Sequence, residues 1–260
     1  MSVNNPQNKN MELSKRFALM QDILQMITLL LAIFQTFTSI IPGKLFLSVS
    51  GIILILDYIA SYFSAKNFDE GHFIREVGLF DNSFNEKRIP NYESEKYYDN
   101  ESVTAGHIKL LANIHENALF TSRITAKMST PYFITSGIIF TFILLKLFLC
   151  GMDDYSSLLL GFIVSSSFFD RAMKIHSLKR STEEVLKKAN ELCNFYEKGS
   201  IEINVLLSKI IELLLMYESA VYETKIVLDE KIFKELNSSL SLEWNSIKDN
   251  YLVYRYDKTK

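Results

Sequence analysis

Asp57 is the residue whose type and position most demand a chemical explanation. It follows Ile55-Leu56 and precedes Tyr58-Ile59-Ala60, deep inside an apolar run. A carboxylate there is costly, and acids within membrane-like segments face a bundle interior or water. Asp57 can line a path, hold a proton, or pair with a hydroxyl across the bundle. A protonated Asp57 bonded to a neighbouring helix satisfies the same sequence.

The most distinctive polar sequence is Gly78-Leu79-Phe80-Asp81-Asn82-Ser83-Phe84, followed by Tyr97-Tyr98-Asp99-Asn100. Asp81, Asn82, Ser83, Tyr97, Tyr98, Asp99 and Asn100 form a candidate ligand or regulatory loop, with carboxylates and amides for hydrogen bonds and rings for stacking. The alternative is an ordered loop that caps helix ends. The histidines are His72, His107, His115 and His176. None makes an HExxH or another close metal pair, so no metal site is expected and structural or exposed roles are. No elbow motif frames a serine nucleophile, and no Gly-rich loop cradles a phosphate. Neither a catalytic constellation nor a cofactor is expected, and the chain reads as a non-enzyme. Cys150 and Cys193 form no CxxC pair and no disulfide framework. Lys146 reads as a residue that snorkels to an interface. Asp170 and Lys174 have the spacing of a helix-surface ion pair.

The elements that position these residues are mostly apolar helices. Residues 23–41, 45–63, 132–150 and 155–169 are apolar stretches, arranged as two pairs around a charged segment. Crossing the hydrocarbon core takes roughly 20 helical residues. The expected fold is therefore an all-α membrane protein with four transmembrane helices in two hairpins, a helical cytoplasmic insert and a helical C-terminal tail. The divisions are 1–64 (N-terminal segment and first hairpin), 65–128 (insert), 129–173 (second hairpin) and 174–260 (tail). The overall mean hydropathy of +0.09 averages these two kinds of segment. Span four is short and rich in small residues, including Ser156, Ser157, Gly161, Ser165 and Ser166. Such residues serve close helix packing or line a wet path.

Lys and Arg set the orientation. Lys9, Lys15 and Arg16 precede span one, and Lys66, Arg75, Lys87 and Arg88 open the insert. Arg171, Lys174, Lys179 and Arg180 follow span four, whereas Gly151-Met152-Asp153-Asp154 carries no cation. Both termini and the insert then lie in the cytoplasm, the location being a bacterial inner membrane crossed several times. The wealth of Ile, Lys, Asn, Phe and Tyr fits an AT-rich bacterial genome. A net charge of -2 gives no sign of nucleic-acid binding.

Within the polar blocks, span two is expected to continue as helix from Ala65 to about Phe80, followed by a turn-rich loop from Asp81 to Tyr92. Helix resumes from Ala105 to Lys127. Pro131 falls near the start of span three. In the tail, helices are expected over 182–198, 201–236 and 241–251, with Asn237-Ser238-Ser239 as a break. Stripes through Val185, Ala189, Leu192 and Phe195, and through Leu207, Ile210, Ile211 and Leu214, need partners.

The paired hairpins, the insert with Phe80-Asp81 and the helical tail resemble bacterial four-transmembrane effectors of nucleotide-signalling anti-phage systems, the SMODS-associated group. The Leu-Pro-Trp-Asn element of that group is absent, and Arg88-Ile89-Pro90-Asn91 stands nearby instead. The resemblance implies an oligomeric effector that perturbs or forms a pore in the membrane, switched on by a cyclic-nucleotide signal or a defence-system partner protein. Its expected partners are the lipid bilayer and further copies of itself. The other reading of the residues is a membrane-anchored adaptor whose helical tail docks a partner protein.

Overall fold

The structure, a computed structural model, describes residues 6–38, 41–89, 98, 100–151 and 167–255. These fold into α1 (Pro6–Thr38), α2 (Gly43–Phe84), α3 (His107–Cys150), α4 (Ser167–Glu197), α5 (Ile203–Thr224), α6 (Glu230–Asn250) and a short 3-10 turn (Leu252–Tyr254). No strand occurs among the described residues. Most of span four, together with Tyr97 and Asp99, lies outside them.

α1 and α2 form an antiparallel hairpin. Phe17 stacks on Phe63 with ring centres 5.3 Å apart, and the Ser64 hydroxyl donates to the Ser14 carbonyl at 3.0 Å. Gly71 permits the close approach below them, since a Cβ there would lie 3.1 Å from the Met11 side chain. Both helices are long and apolar enough to cross a membrane. Their 33 and 42 residues correspond to about 50 and 63 Å at 1.5 Å per residue, more than the ~30 Å hydrocarbon core. Each therefore projects from its apolar part into the polar part of the molecule.

The apolar parts are turned inside out relative to a soluble protein. Leu54, Ile55 and Tyr58 are 61, 62 and 74% exposed. The upper half of α3 behaves alike, with Ile138 and Phe148 exposed.

The polar part has a conventional core. Phe68 and Leu79 of α2, Leu111, Ile114 and Leu119 of α3, Leu178 and Val185 of α4, Leu206 and Ile210 of α5, and Trp244 of α6 are all buried in one cluster. The insert and the tail thus share this core, and a smaller cluster of Ile124, Met128, Ile175 and Leu240 joins them again.

Several expectations are corrected. α2 continues through Asp81, Asn82 and Ser83 to Phe84, because their side chains find buried partners in helical geometry, and it closes at Asn85 in the left-handed region. α3 begins at His107, so Pro131 is internal to it. There the ring removes the bond that would reach the Lys127 carbonyl. The segment 201–236 is two helices, parted where Lys225 turns left-handed. Asp229 starts α6 by accepting from the backbone N–H groups of Lys231 and Ile232. Asn237-Ser238-Ser239 consequently lies within α6, its side chains on the exposed side. In α4 the buried stripe takes Cys193 and leaves Phe195 53% exposed. On α5 the buried face is Leu206, Ile210, Leu213 and Tyr217, so Leu207 and Ile211 lie outside it.

Candidate functional site

The inward face of α1 is polar. Gln7, Ser14, Gln21, Thr28 and Gln35 recur every seventh residue and are all buried, with Gln25 and Ala32 buried beside them. A seven-residue repeat keeps to one side of a helix, and here that side faces α2. The large apolar residues Leu19, Ile23, Leu30 and Phe34 are exposed.

Asp57 of α2 meets this seam. The Gln25 side-chain amide donates to its carboxylate at 3.1 Å. The partner is thus an amide of the neighbouring helix and not a hydroxyl. Farther along, Gln35 holds the hairpin turn in both directions, its amide nitrogen donating to the Ile41 carbonyl at 2.7 Å and its oxygen accepting from the Ile41 N–H at 3.2 Å. At the other end Asp22 pairs with Arg171 of α4, and the same guanidinium donates to the Ala18 carbonyl at 3.2 Å. The seam therefore runs from the turn to a half-buried ion pair that ties the hairpin to α4.

The candidate loop residues are brought together, but they point inward. Asn113 donates to the side chains of Asn82 and Ser83 at 2.9 and 3.0 Å. Asn100 donates to Asn113 at 2.9 Å and to Glu116 at 2.7 Å. The Trp244 indole N–H donates to Asn100 at 3.0 Å. Asp81 is buried and accepts from the N–H groups of Arg88 and Ile89 at 2.9 and 3.3 Å. Tyr98 packs into the core. Gly106 opens α3 with a positive φ of 123°, which L side chains rarely adopt, and donates to the Ser83 carbonyl at 2.7 Å. The group is a buried hydrogen-bonded network that fixes the link between α2 and α3, with Asp81 Oδ1 left 3.9 Å from the Arg88 guanidinium.

A second buried network holds the C-terminal turn. Cys193 donates to the Tyr254 hydroxyl at 3.3 Å, and that oxygen lies 3.0 Å from His115 Nδ1. The Trp244 ring meets His115 edge-on at 5.3 Å. Burial lowers the His115 pKa to about 4 and pushes the Cys193 thiol up to about 12. Burial also raises Tyr254 well above its usual value. The row is neutral throughout, and its thiol is not poised as a nucleophile. Of the remaining candidates, His107 is half-buried and His176 is exposed against Phe133. Asp170 and Lys174 make the expected surface pair at 2.7 Å. The side chain of Lys146 lies outside the described residues.

Sequence reasoning missed two features. The repeat of Gln7, Ser14, Gln21, Thr28 and Gln35 was visible as spacing within an apolar run. The second is a cluster of His72 and Glu76 on α2 with Glu218 on α5. Only the one-turn spacing of His72 and Glu76 was available beforehand, because Glu218 comes from a distant element. No family model, curated protein or solved structure matches the chain.

Proposed function

We propose that this chain is an oligomeric membrane effector that perturbs or opens a bacterial inner membrane. The observation that carries the reading is the polarity of the α1–α2 seam. Between helices in lipid, apolar packing brings no hydrophobic driving force, and polar groups and small residues hold them together. α1 turns Gln21, Gln25, Thr28 and Gln35 inward and α2 answers with Asp57. A closed hairpin satisfies these groups with each other. A parted hairpin exposes a polar file that water can satisfy instead. Residues 132–150 of α3 and the stretch 155–169 complete four spans in this reading, with both termini cytoplasmic. The exposed apolar face of the upper α3 supports the third crossing. Its setting in anti-phage defence rests on the resemblance alone, as does activation by a cyclic nucleotide or a defence partner.

The second reading, a membrane-anchored adaptor, is favoured by two observations. Asp57 is already answered by Gln25, and α5 offers an apolar outer face for docking. A membrane-potential dye in cells producing the full chain separates the two. Asp57→Leu and Asp57→Asn are expected to abolish depolarisation while insertion persists if the carboxylate is required. Tolerance of Asn with loss in Leu assigns Asp57 to packing of the seam. Full activity of both variants removes Asp57 from the mechanism and favours the adaptor.

A further inference from the structure

Where α2 leaves its apolar part, its inner face meets α5 at His72, Glu76 and Glu218. One donor atom from each residue lies within 4.8 Å of those from the other two. His72 and Glu76 are one turn apart and share a face of α2. His72 Nδ1 lies 3.5 Å from a Glu76 carboxylate oxygen, and Nε2 lies 3.4 Å from Oε2 of Glu218. Both separations exceed an ordinary N–H···O bond. His72 is 4% exposed, and its Nε2 and the Oε1 of Glu218 are buried without a hydrogen bond. Orphaned buried atoms of this kind need an explanation, an ion being one.

The surroundings favour a cation. The His72 ring lies between the two carboxylates, and its Nε2 is buried with no hydrogen-bond partner. Arg75 pairs with Oε2 of Glu218 and leaves Oε1 unbonded. A ligating carboxylate is commonly held by such an outer hydrogen bond. Two carboxylates face His72, against the one guanidinium of Arg75.

We propose that His72, Glu76 and Glu218 bind a divalent transition metal of the zinc class, with Arg75 positioning the Glu218 carboxylate. One nitrogen and two oxygens suit Zn²⁺ or Co²⁺ and fall short of the six to eight oxygens that Ca²⁺ takes. Three protein donors leave a fourth position for water. The metal joins α2, the helix that carries Asp57, to the tail helix α5. Occupancy therefore clamps the membrane hairpin to the polar domain.

The test uses tag-free full-length protein in detergent, stripped with chelator and titrated with ZnCl₂, with MgCl₂ in parallel. Bound metal is counted by mass spectrometry after gel filtration, and Co²⁺ is added separately for its visible bands. One Zn²⁺ per chain is expected, with no comparable Mg²⁺ uptake and with tetrahedral-type Co²⁺ bands. His72→Gln should abolish binding. Glu76→Gln should weaken it at least about tenfold. Glu76 is half-exposed and is not the carboxylate paired with Arg75, so this variant tests the site even if His72→Gln fails to fold. Absence of Zn²⁺ binding, retention of wild-type affinity in Glu76→Gln, or loss in a His176→Gln control equal to that in Glu76→Gln would each overturn the proposal.

Discussion

The two ends of α2 turn their large apolar side chains to opposite sides. From Leu45 to Phe63 most of its large apolar side chains face outward, Phe46 being buried with Leu29 and Ala32, and Asp57 meets Gln25 of α1. From Phe68 to Ser83 the same helix turns Phe68 and Leu79 into a packed core and buries His72, Arg75 and Asp81 among partners from other elements. Helix propensity cannot account for the reversal, because the backbone is one continuous helix. The surroundings can. In water, apolar burial drives packing, whereas in lipid the polar groups must find each other. In the membrane reading proposed above, one helix thus spans a change of solvent along its length, with Asp57 and His72 on either side of the change.

The comparison is broken most severely by large deletions. Trp244 is buried, packs on His115 and donates to Asn100. Trp244→Ala should lose about 3–5 kcal/mol, from the cavity together with the stranded amide oxygen. Ile55→Ala, at a site 62% exposed, should change stability by less than about 0.5 kcal/mol in detergent. Denaturant titration followed by helical circular dichroism measures both. Similar losses for the two would end the distinction between the regions.

A pH series sharpens it next. His115 is held neutral in the fold, with its pKa lowered from 6.5 to about 4. The unfolded chain therefore binds the proton more readily between these values. The stability from this group is complete above pH 6.5 and is lost as pH falls toward 4. The difference corresponds to roughly 3 kcal/mol. His72 shifts in the same direction, so both contribute to the wild-type slope. His115→Gln should reduce the slope of the unfolding midpoint against pH over this window and leave the His72 share. An unchanged slope would show that His115 does not enter the fold neutral.

How much of this was legible beforehand follows the same division. The long apolar helices, the turn at Pro42 and the helical tail were readable because length and composition carry them. The side to which each helix turns was not readable in α5, where leucine and isoleucine occupy both faces. There Leu207 and Ile211 lie outside the buried face, and Leu206 and Leu213 fill it. Asp81, Asn82 and Ser83 read as a loop by local preference, yet Asn113, far along the chain, supplies partners that keep them helical. The break at Lys225 and the start of α6 were marked by Asp229, a capping residue that the run of apolar residues before it obscured. The Asp57 partner was hidden for another reason. Glutamine is an unremarkable residue singly, and only its seven-residue recurrence marks the seam.

The smallest effect on stability should come from the outer face of α5, where the comparison is least settled. Leu207, Ile211 and Leu215 follow one another at four-residue steps, and Leu215 is 61% exposed. An apolar row of this kind resembles the exposed apolar rows of α2, but it lies on the polar part of the molecule. A second copy of the chain would remove it from water, as the oligomeric reading requires. Leu215→Lys touches no core residue, so it should shift the unfolding of the single chain by less than about 0.5 kcal/mol. In an oligomer the same lysine would be driven into an apolar contact. Light scattering in detergent, corrected for the bound micelle, should then show a smaller particle for Leu215→Lys than for the wild type. If the wild type is already a monomer across the working concentration range, α5 is not a self-association surface. The face would then remain open to the partner protein that the adaptor reading needs.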